Sequence, residues 1–268
     1  MSPTTKPDTR RAAALRLLRR AGRLLLGAAF PPRCLACADF IAWPHAGADP
    51  ELAGAERWFC APCLATLAPL QSPCPRCARS LRRYLDAPPL DACPDCARSS
   101  PEWRAIAAYA HEGPAREALH HLKFSERRHV AAGIARLMAR AVAPSLGERR
   151  PELLVPIPLG PARLQERGYN QARLIAEALG PLVAIPVVVE GALVRPRQSA
   201  SQHRLGRQER LGRGEELMFR VDRPAEVEGR AVALVDDVMT TGATARAAAE
   251  ALEGAGACVE RVWIWSRA

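Results

Sequence analysis

The chain has 268 residues, 49% of them hydrophobic, and a formal net charge of +10. That length can bury one full domain and a smaller second unit, and with aromatics at 5% the core is expected to be rich in Ala, Leu and Val. No run is long and apolar enough to span a bilayer, and Leu24–Phe30 is short for a signal-peptide core with no small-x-small site behind it, so neither a membrane-spanning nor an exported protein is expected.

Much of the positive charge is at the start. Residues 1–33 hold eight cationic side chains against Asp8 alone. Residues 1–12 are polar and aperiodic, as in a disordered segment. From Ala14, the apolar positions Leu17, Leu18, Ala21, Leu24, Leu25 and Ala28 fall on one helical face, and Arg16, Arg19, Arg20 and Arg23 take the other. Such a helix either packs its leucines on the protein's own body or meets nucleic acid, anionic lipid or a partner. Pro31-Pro32 ends it.

Eight of the nine cysteines then form four Cys-x-x-Cys pairs: Cys34/Cys37, Cys60/Cys63, Cys74/Cys77 and Cys93/Cys96. A Cys-x-x-Cys turn aims two sulfurs at one centre, and two such knuckles complete a tetrahedral Zn²⁺ site. Pairing in chain order gives Cys34, Cys37, Cys60 and Cys63 to one zinc, and Cys74, Cys77, Cys93 and Cys96 to the other. A crossed pairing fits the spacing as well. Four cysteines per ion leave no open position, so both ions are read as structural. The segments between the knuckles are too short and too poor in large apolar residues to fold without metal. A redox role would need a thioredoxin-like βαβ context, which is absent. His45 is read as a loop residue, and reduced thiols imply the cytoplasm.

Ser99-Ser-Pro101 is a linker, Trp103–Ala110 a strand, and Ala115–Leu122 and Val130–Val142 helices. Between those helices, His120-His-Leu-Lys-Phe124 and Arg127-Arg128 form either a solvated corner or a basic, aromatic approach to a substrate. Leu153–Ile157 is a buried parallel strand. Arg163 and Arg167 follow, four residues apart, before Gly168 and a helix over Ala172–Leu179; paired arginines can donate forked hydrogen bonds to a diphosphate. Ile185–Glu190 is a further strand. Arg195–Gly214 is polar, basic and glycine-bearing, either a mobile lid over a polyanion or a surface loop. Met218–Val221 returns to strand, and Ala257–Trp265 is the last one, with Cys258 expected as a small core residue.

The decisive stretch lies before that last strand. Ala231-Val-Ala-Leu-Val is a buried strand, Asp236 and Asp237 follow at its carboxyl end, and Thr240, Thr241, Gly242, Ala243 and Thr244 turn into an Ala-rich helix over Ala245–Leu252. The turn puts backbone N–H groups and hydroxyls at a helix N-terminus, where a phosphate is stabilised. No Gly-Lys-Ser/Thr follows, which excludes a P-loop. This stretch resembles the phosphoribosyl-diphosphate (PRPP) binding motif of type I phosphoribosyltransferases. The resemblance implies that Asp236 and Asp237 hold the ribose hydroxyls as the catalytic pair, and that Thr240–Thr244 wrap the 5′-phosphate.

The order of the Cys-x-x-Cys knuckles, HHLKF, VPIPLGPARLQERGYNQA, RPRQSASQHRLGRQERL and LVDDVMTTGAT is similar to the ComF family, which pairs a double zinc ribbon with a type I phosphoribosyltransferase domain and is linked to DNA uptake in competence. The resemblance implies a pyrophosphate loop within Pro158–Asn170 and a flexible hood around Arg195–Arg213, where the family's Asn is replaced by Arg213. It divides the chain into a basic leader (1–32), a double zinc ribbon (33–98) and a phosphoribosyltransferase-like domain (99–268). The last is expected to be an α/β, mostly parallel sheet with helices on both faces and its ligand at the carboxyl ends of the strands. The expected activity is phosphoribosyl transfer from PRPP with Mg²⁺ to an acceptor that the sequence does not name. The alternative is a non-catalytic module binding PRPP or single-stranded DNA beside a helicase-like partner.

Overall fold

The computed structural model describes residues 32–41, 58–81, 92–98, 101–125, 127–147, 150–196 and 218–268. The leader helix, His45 and nearly all of the 195–214 stretch lie outside the described residues.

Strands β1 (Arg104–Ala110) and β2 (Leu153–Pro156) belong to the main sheet, and β3 (Leu193–Val194) and β4 (Arg220–Val221) form a short antiparallel ribbon. Strands β5 (Ala231–Met239) and β6 (Cys258–Arg267) complete the main sheet, whose order is β1-β6-β5-β2 with every pairing parallel. Parallel neighbours need crossovers, and helices supply them. The short helices α1 (Ala61–Ala65) and α2 (Pro94–Arg98) follow cysteine knuckles. Next come α3 (Gly113–Phe124), α4 (Val130–Val142), α5 (Pro161–Arg167), α6 (Gln171–Val183) and α7 (Ala243–Gly254).

The period-2 alternation of the strands sorts the core into two layers. Ala233, Val235, Leu154, Trp263 and Trp265 pack with α3, α4 and α6 on one face. Val232, Leu234, Val155, Val262 and Ile264 pack with α7 on the other. The core is Ala/Leu/Val-rich, as 5% aromatics require, and two of the few aromatics, Trp263 and Trp265, are fully buried in the central β6. The expected α/β class with helices on both faces is what the chain forms.

Three local expectations change. The segment 185–190 contributes only a parallel bridge, Leu154 to Val187, because Pro186 has no N–H and the segment lies at the sheet's edge. The strand expected over 218–221 shrinks to two residues. Cys258 is exposed at the start of β6, not in the core.

The cysteine knuckles have little core of their own. Leu35, Ala36, Ile41, Phe59 and Leu67 join the layer of α3 and α4, while Ala78 joins the layer of α7. The two knuckle pairs thus clasp the sheet from opposite faces around its outer strand. Two backbone bonds close that strand's open edge: Ala105 N donates to Arg76 O at 2.7 Å, and Ala110 N to Ala68 O at 3.0 Å. An uncovered edge invites pairing with other chains; here the knuckles cover it.

Candidate functional site

Strand β5 does not stop before the acidic pair. It runs through Asp236 and Asp237 to Met239, pairing Asp236 with Ile264 and Met239 with Arg267 of β6. Adjacent strand residues face opposite ways, so the two carboxylates differ. Asp237 is 3% exposed and faces α3, where its Oδ2 lies 3.0 Å from Lys123 Nζ. The contact is one of charge, since this buried oxygen has no aligned hydrogen-bond donor. Asp236 is half-buried and accepts the Asp237 N–H on Oδ1 at 2.8 Å. Burial and the charge of Asp237 push the Asp236 carboxyl well above the ordinary carboxylate range, against the pull of Lys123 and Arg195. The pair therefore offers one carboxyl pushed toward its protonated form and one set against a lysine ammonium.

Beyond Met239 the chain bends in the open. Thr240, Thr241 and Ala243 are exposed, and Gly242 takes φ +83° as the N-cap of α7. A Cβ at Gly242 would meet only Met239 Sδ at 3.5 Å, so glycine is required there by its left-handed backbone and not by crowding. Thr241 Oγ1 accepts from Ala243 N at 3.3 Å, which tightens the bend.

A cavity of about 390 Å³ opens between α3 and α5, lined by His111, Arg116, Lys123, Phe124, Arg163 and Arg167 among others. Four cations and the single acid Glu166 face it. Phe124 is 64% exposed at its rim, with the His120 ring 4.9 Å away and the Arg167 guanidinium 5.4 Å over its face. Arg163 and Arg167 share one face of a helix that begins at Pro161 and ends in a left-handed Gly168. Arg167 is steadied by Gln171 Oε1 at 2.7 Å, and Asn170 caps α6 through Ala172 N at 3.0 Å while donating to Ile157 O. The RGYNQ block thus fixes the geometry between the two helices. Tyr169 completes it, donating its hydroxyl proton to Leu122 O. His111 is held below its ordinary value by burial and by Lys123, and its Nδ1 is 2.8 Å from Ser266 Oγ.

Lys123 connects the cavity to Asp237. Sequence reading left this residue open between a solvated corner and a substrate contact, yet a signal was present. Among 38 basic residues only Lys6 and Lys123 are lysine. A chain that uses arginine almost everywhere keeps a compact ammonium where one buried carboxylate must be met. Thr240–Thr244 do not line this cavity; among its lining residues, Lys123 reaches Asp237 and His111 donates its backbone N–H to Arg267 O.

The cysteines assemble in chain order. Cys34, Cys37, Cys60 and Cys63 form one quartet and Cys74, Cys77, Cys93 and Cys96 the other, with all sulfurs of each within 4.8 Å of one another. A tetrahedral ion with bonds of about 2.3 Å needs sulfurs about 3.8 Å apart. The closing pairs Cys37–Cys60 and Cys77–Cys93 stand at 3.6 Å. Backbone N–H groups point at sulfur in both, Ala36 N to Cys34 at 3.4 Å and Cys93 N to Cys74 at 3.3 Å. Burial would raise the Cys34 and Cys74 thiols, but backbone N–H donors, led by Cys60 and Cys37 at Cys34 and by Cys77 and Cys93 at Cys74, outweigh it and bring each to about 7. Both quartets can hold a metal ion.

No protein-family model matches the chain. It is 30% identical to the DNA utilization protein YhgH of Salmonella typhimurium over 240 residues, covering 88% of this chain and 97% of that protein. It is 29% identical to competence protein F of Haemophilus influenzae over 175 residues, 64% of this chain and 75% of that one. Among solved structures, an adenine phosphoribosyltransferase of Thermoanaerobacter pseudethanolicus aligns with a TM-score of 0.32 at 16% identity, over 48% of this chain and 66% of that one.

Proposed function

The chain belongs to the ComF family, and from that membership and the strand-end geometry we propose that it binds PRPP on a phosphoribosyltransferase-like sheet in the service of DNA uptake. One observation carries the reading. The central strand delivers Asp236 and Asp237 at its carboxyl end and runs directly into an exposed bend, set by Gly242, that opens a helix of twelve residues. Backbone N–H groups and threonine hydroxyls of Thr240–Thr244 take the 5′-phosphate, where the helix N-terminus favours negative charge. Asp236 and Asp237 hold the ribose hydroxyls by hydrogen bonds. Arg163, Arg167 and Lys123 receive the diphosphate. In a transfer reaction the bond from C1′ to the diphosphate oxygen breaks as an acceptor nitrogen bonds C1′. Carboxylates below the ring and cations around the leaving group stabilise the charges that develop.

Mg²⁺ bound with the diphosphate would neutralise part of its charge, and the unaligned Asp237 Oδ2 suits such a cation's surroundings. Each cysteine quartet holds a structural Zn²⁺, and a reducing cytoplasm suits both.

The cavity favours a second reading of the same site. Its exposed Phe124–His120 rings among four cations match the stacking and charge that hold single-stranded nucleic acid, so a strand end beside a helicase-like partner could occupy it.

Calorimetry with PRPP and Mg²⁺ tests the proposal on the native protein and on Asp237→Ala. We expect binding in the first, its loss in the second, and two zinc ions in both. Absence of PRPP binding to the native protein sinks the proposal. Turnover of labelled PRPP with candidate bases separates an enzyme from a binding module. Affinity for a single strand that stays constant with salt would exclude the nucleic-acid version.

A further inference from the structure

Arg267 is buried to 4% exposure near the end of β6, and three parts of the chain meet on its guanidinium. Its Nε donates to the carbonyl of Cys77, a member of the second quartet, at 3.1 Å. Its Nη1 donates to Met239 O at 2.8 Å and to the carbonyls of Thr240 and Ala268. Thr240 is the first residue of the bend. Its Nη2 is buried with no hydrogen-bond partner among the described residues. Burial pulls this guanidinium down, and the Cys77 and Cys93 sulfurs act against that pull. The oxygens of Cys77, Met239 and Thr240 that it meets are backbone carbonyls, so the guanidinium ties the second knuckle to the end of β5 and to the bend through main-chain atoms.

We propose that Arg267 is a positioning residue that couples the metal in the second quartet to the phosphate-side bend. Four thiolates around a dication carry a net charge of −2, which favours a cation beside Cys77, and the ion fixes the knuckle whose carbonyl Arg267 meets. With the ion bound, Arg267 is held toward Cys77 and fixes the Met239 and Thr240 carbonyls, so the N–H groups of the bend are set before any ligand arrives. Without it the four sulfurs no longer hold the knuckle, the Cys77 carbonyl loses its fixed place, and the grip on the bend loosens. Among the described residues the first quartet makes no hydrogen bond to the bend. It touches the domain through His121 Nε2, 3.1 Å from Ala36 O, and through Leu35 and Trp58 against Gly133 of α4. Coupling free energies are reciprocal, so a phosphate ligand in the bend must slow release of the second ion and leave the first unaffected.

The ligand arm of the test rests on the proposed PRPP site; the other arm does not. In the full-length Cys37→Ser protein, which keeps the second quartet intact, hydrogen exchange of a peptide covering 239–244 is followed before and after that ion is chelated. We expect exchange to rise about tenfold on chelation. In Arg267→Met it should be fast already and insensitive to the metal, with Arg267→Lys restoring only part of the protection, because one ammonium cannot span Cys77 and Met239 together. In the ligand arm, PRPP should slow chelation of the second ion about threefold in the protein carrying both. Equal exchange with and without the second ion overturns the proposal, as does an unchanged metal response in Arg267→Met. Should Arg267→Met not fold, the metal response of the Cys37→Ser protein and of its Arg267→Lys form decides. If PRPP does not bind but exchange follows the metal, the PRPP reading fails and the coupling stands.

Discussion

The two cysteine quartets are nearly the same object in different surroundings. Each joins two Cys-x-x-Cys turns, each closes with sulfurs 3.6 Å apart, and each aims a backbone N–H at a buried sulfur. The first is set into the larger core layer, against the helices α3 and α4. The second lies at the ends of β1 and β6, where Arg267 ties it to the bend after β5. Local motif therefore decides that an ion can be held; the neighbours decide what losing it would do. Loss of the first ion should damage stability, and loss of the second should damage the site.

The largest effect tests that division. Cys60→Ser should lose one zinc ion and several kcal/mol of stability, because ion binding and the packing of Leu35, Phe59 and Leu67 form together. Cys77→Ser should lose one ion, melt closer to the native protein, and lose more affinity for PRPP. Metal analysis with thermal melts and calorimetry reads all of this. The reverse ranking would mean that the two quartets are interchangeable staples.

Next is the ion pair that links cavity and strand end. Lys123→Met strands the carboxylate of Asp237, whose side chain is 5% exposed, and should cost about 3 kcal/mol in urea unfolding. Lys123→Arg should recover only part, because a planar fork replaces a compact ammonium.

A smaller effect sharpens the packing side of the comparison. A Cβ on Gly133 would lie 2.5 Å from Leu35 Cδ1 and 2.9 Å from Trp58 Cγ. Gly133→Ala should cost about 2 kcal/mol by overpacking and should be relieved by Leu35→Ala. Simple additivity of the two in a double-mutant cycle would show that the first knuckle does not rest on α4 as described.

The smallest is pH-dependent. Folded Asp236 keeps its proton to higher pH than it does in the unfolded chain. From the ordinary carboxylate range near about 4 upward, the unfolded state releases that proton first, so stability falls as pH rises until the folded carboxyl ionises. Asp236→Asn cannot ionise and should melt slightly above the native protein at pH 7, with the gap closing near about pH 4. A gap that is constant with pH would show that the Asp236 carboxyl is not held protonated.

Much of this was legible in the sequence because it rests on local rules. Hydrophobic period gave the parallel strands and most helices to within a few residues. Spacing of four picked out Arg163 and Arg167 as a pair, though the helix that carries them was not expected, and glycine marked the bend at Gly242. Readings failed where a local pattern met an edge or an end. Pro186 broke the ladder of an apolar run, and Cys258 fell at a strand start that faces solvent.

By itself, then, the sequence determined which pieces exist: four Cys-x-x-Cys knuckles, a set of buried strands and helices, and an acidic strand end followed by a glycine bend. Each depends on residues within a few positions of one another, where periodicity and spacing act. Only the tertiary structure decided that Lys123 meets Asp237, that the knuckles cover the outer strand, and that Arg267 joins Cys77 to Thr240. Those contacts join residues more than twenty positions apart, and burial of charge, which sets their strength, exists only once the layers have closed.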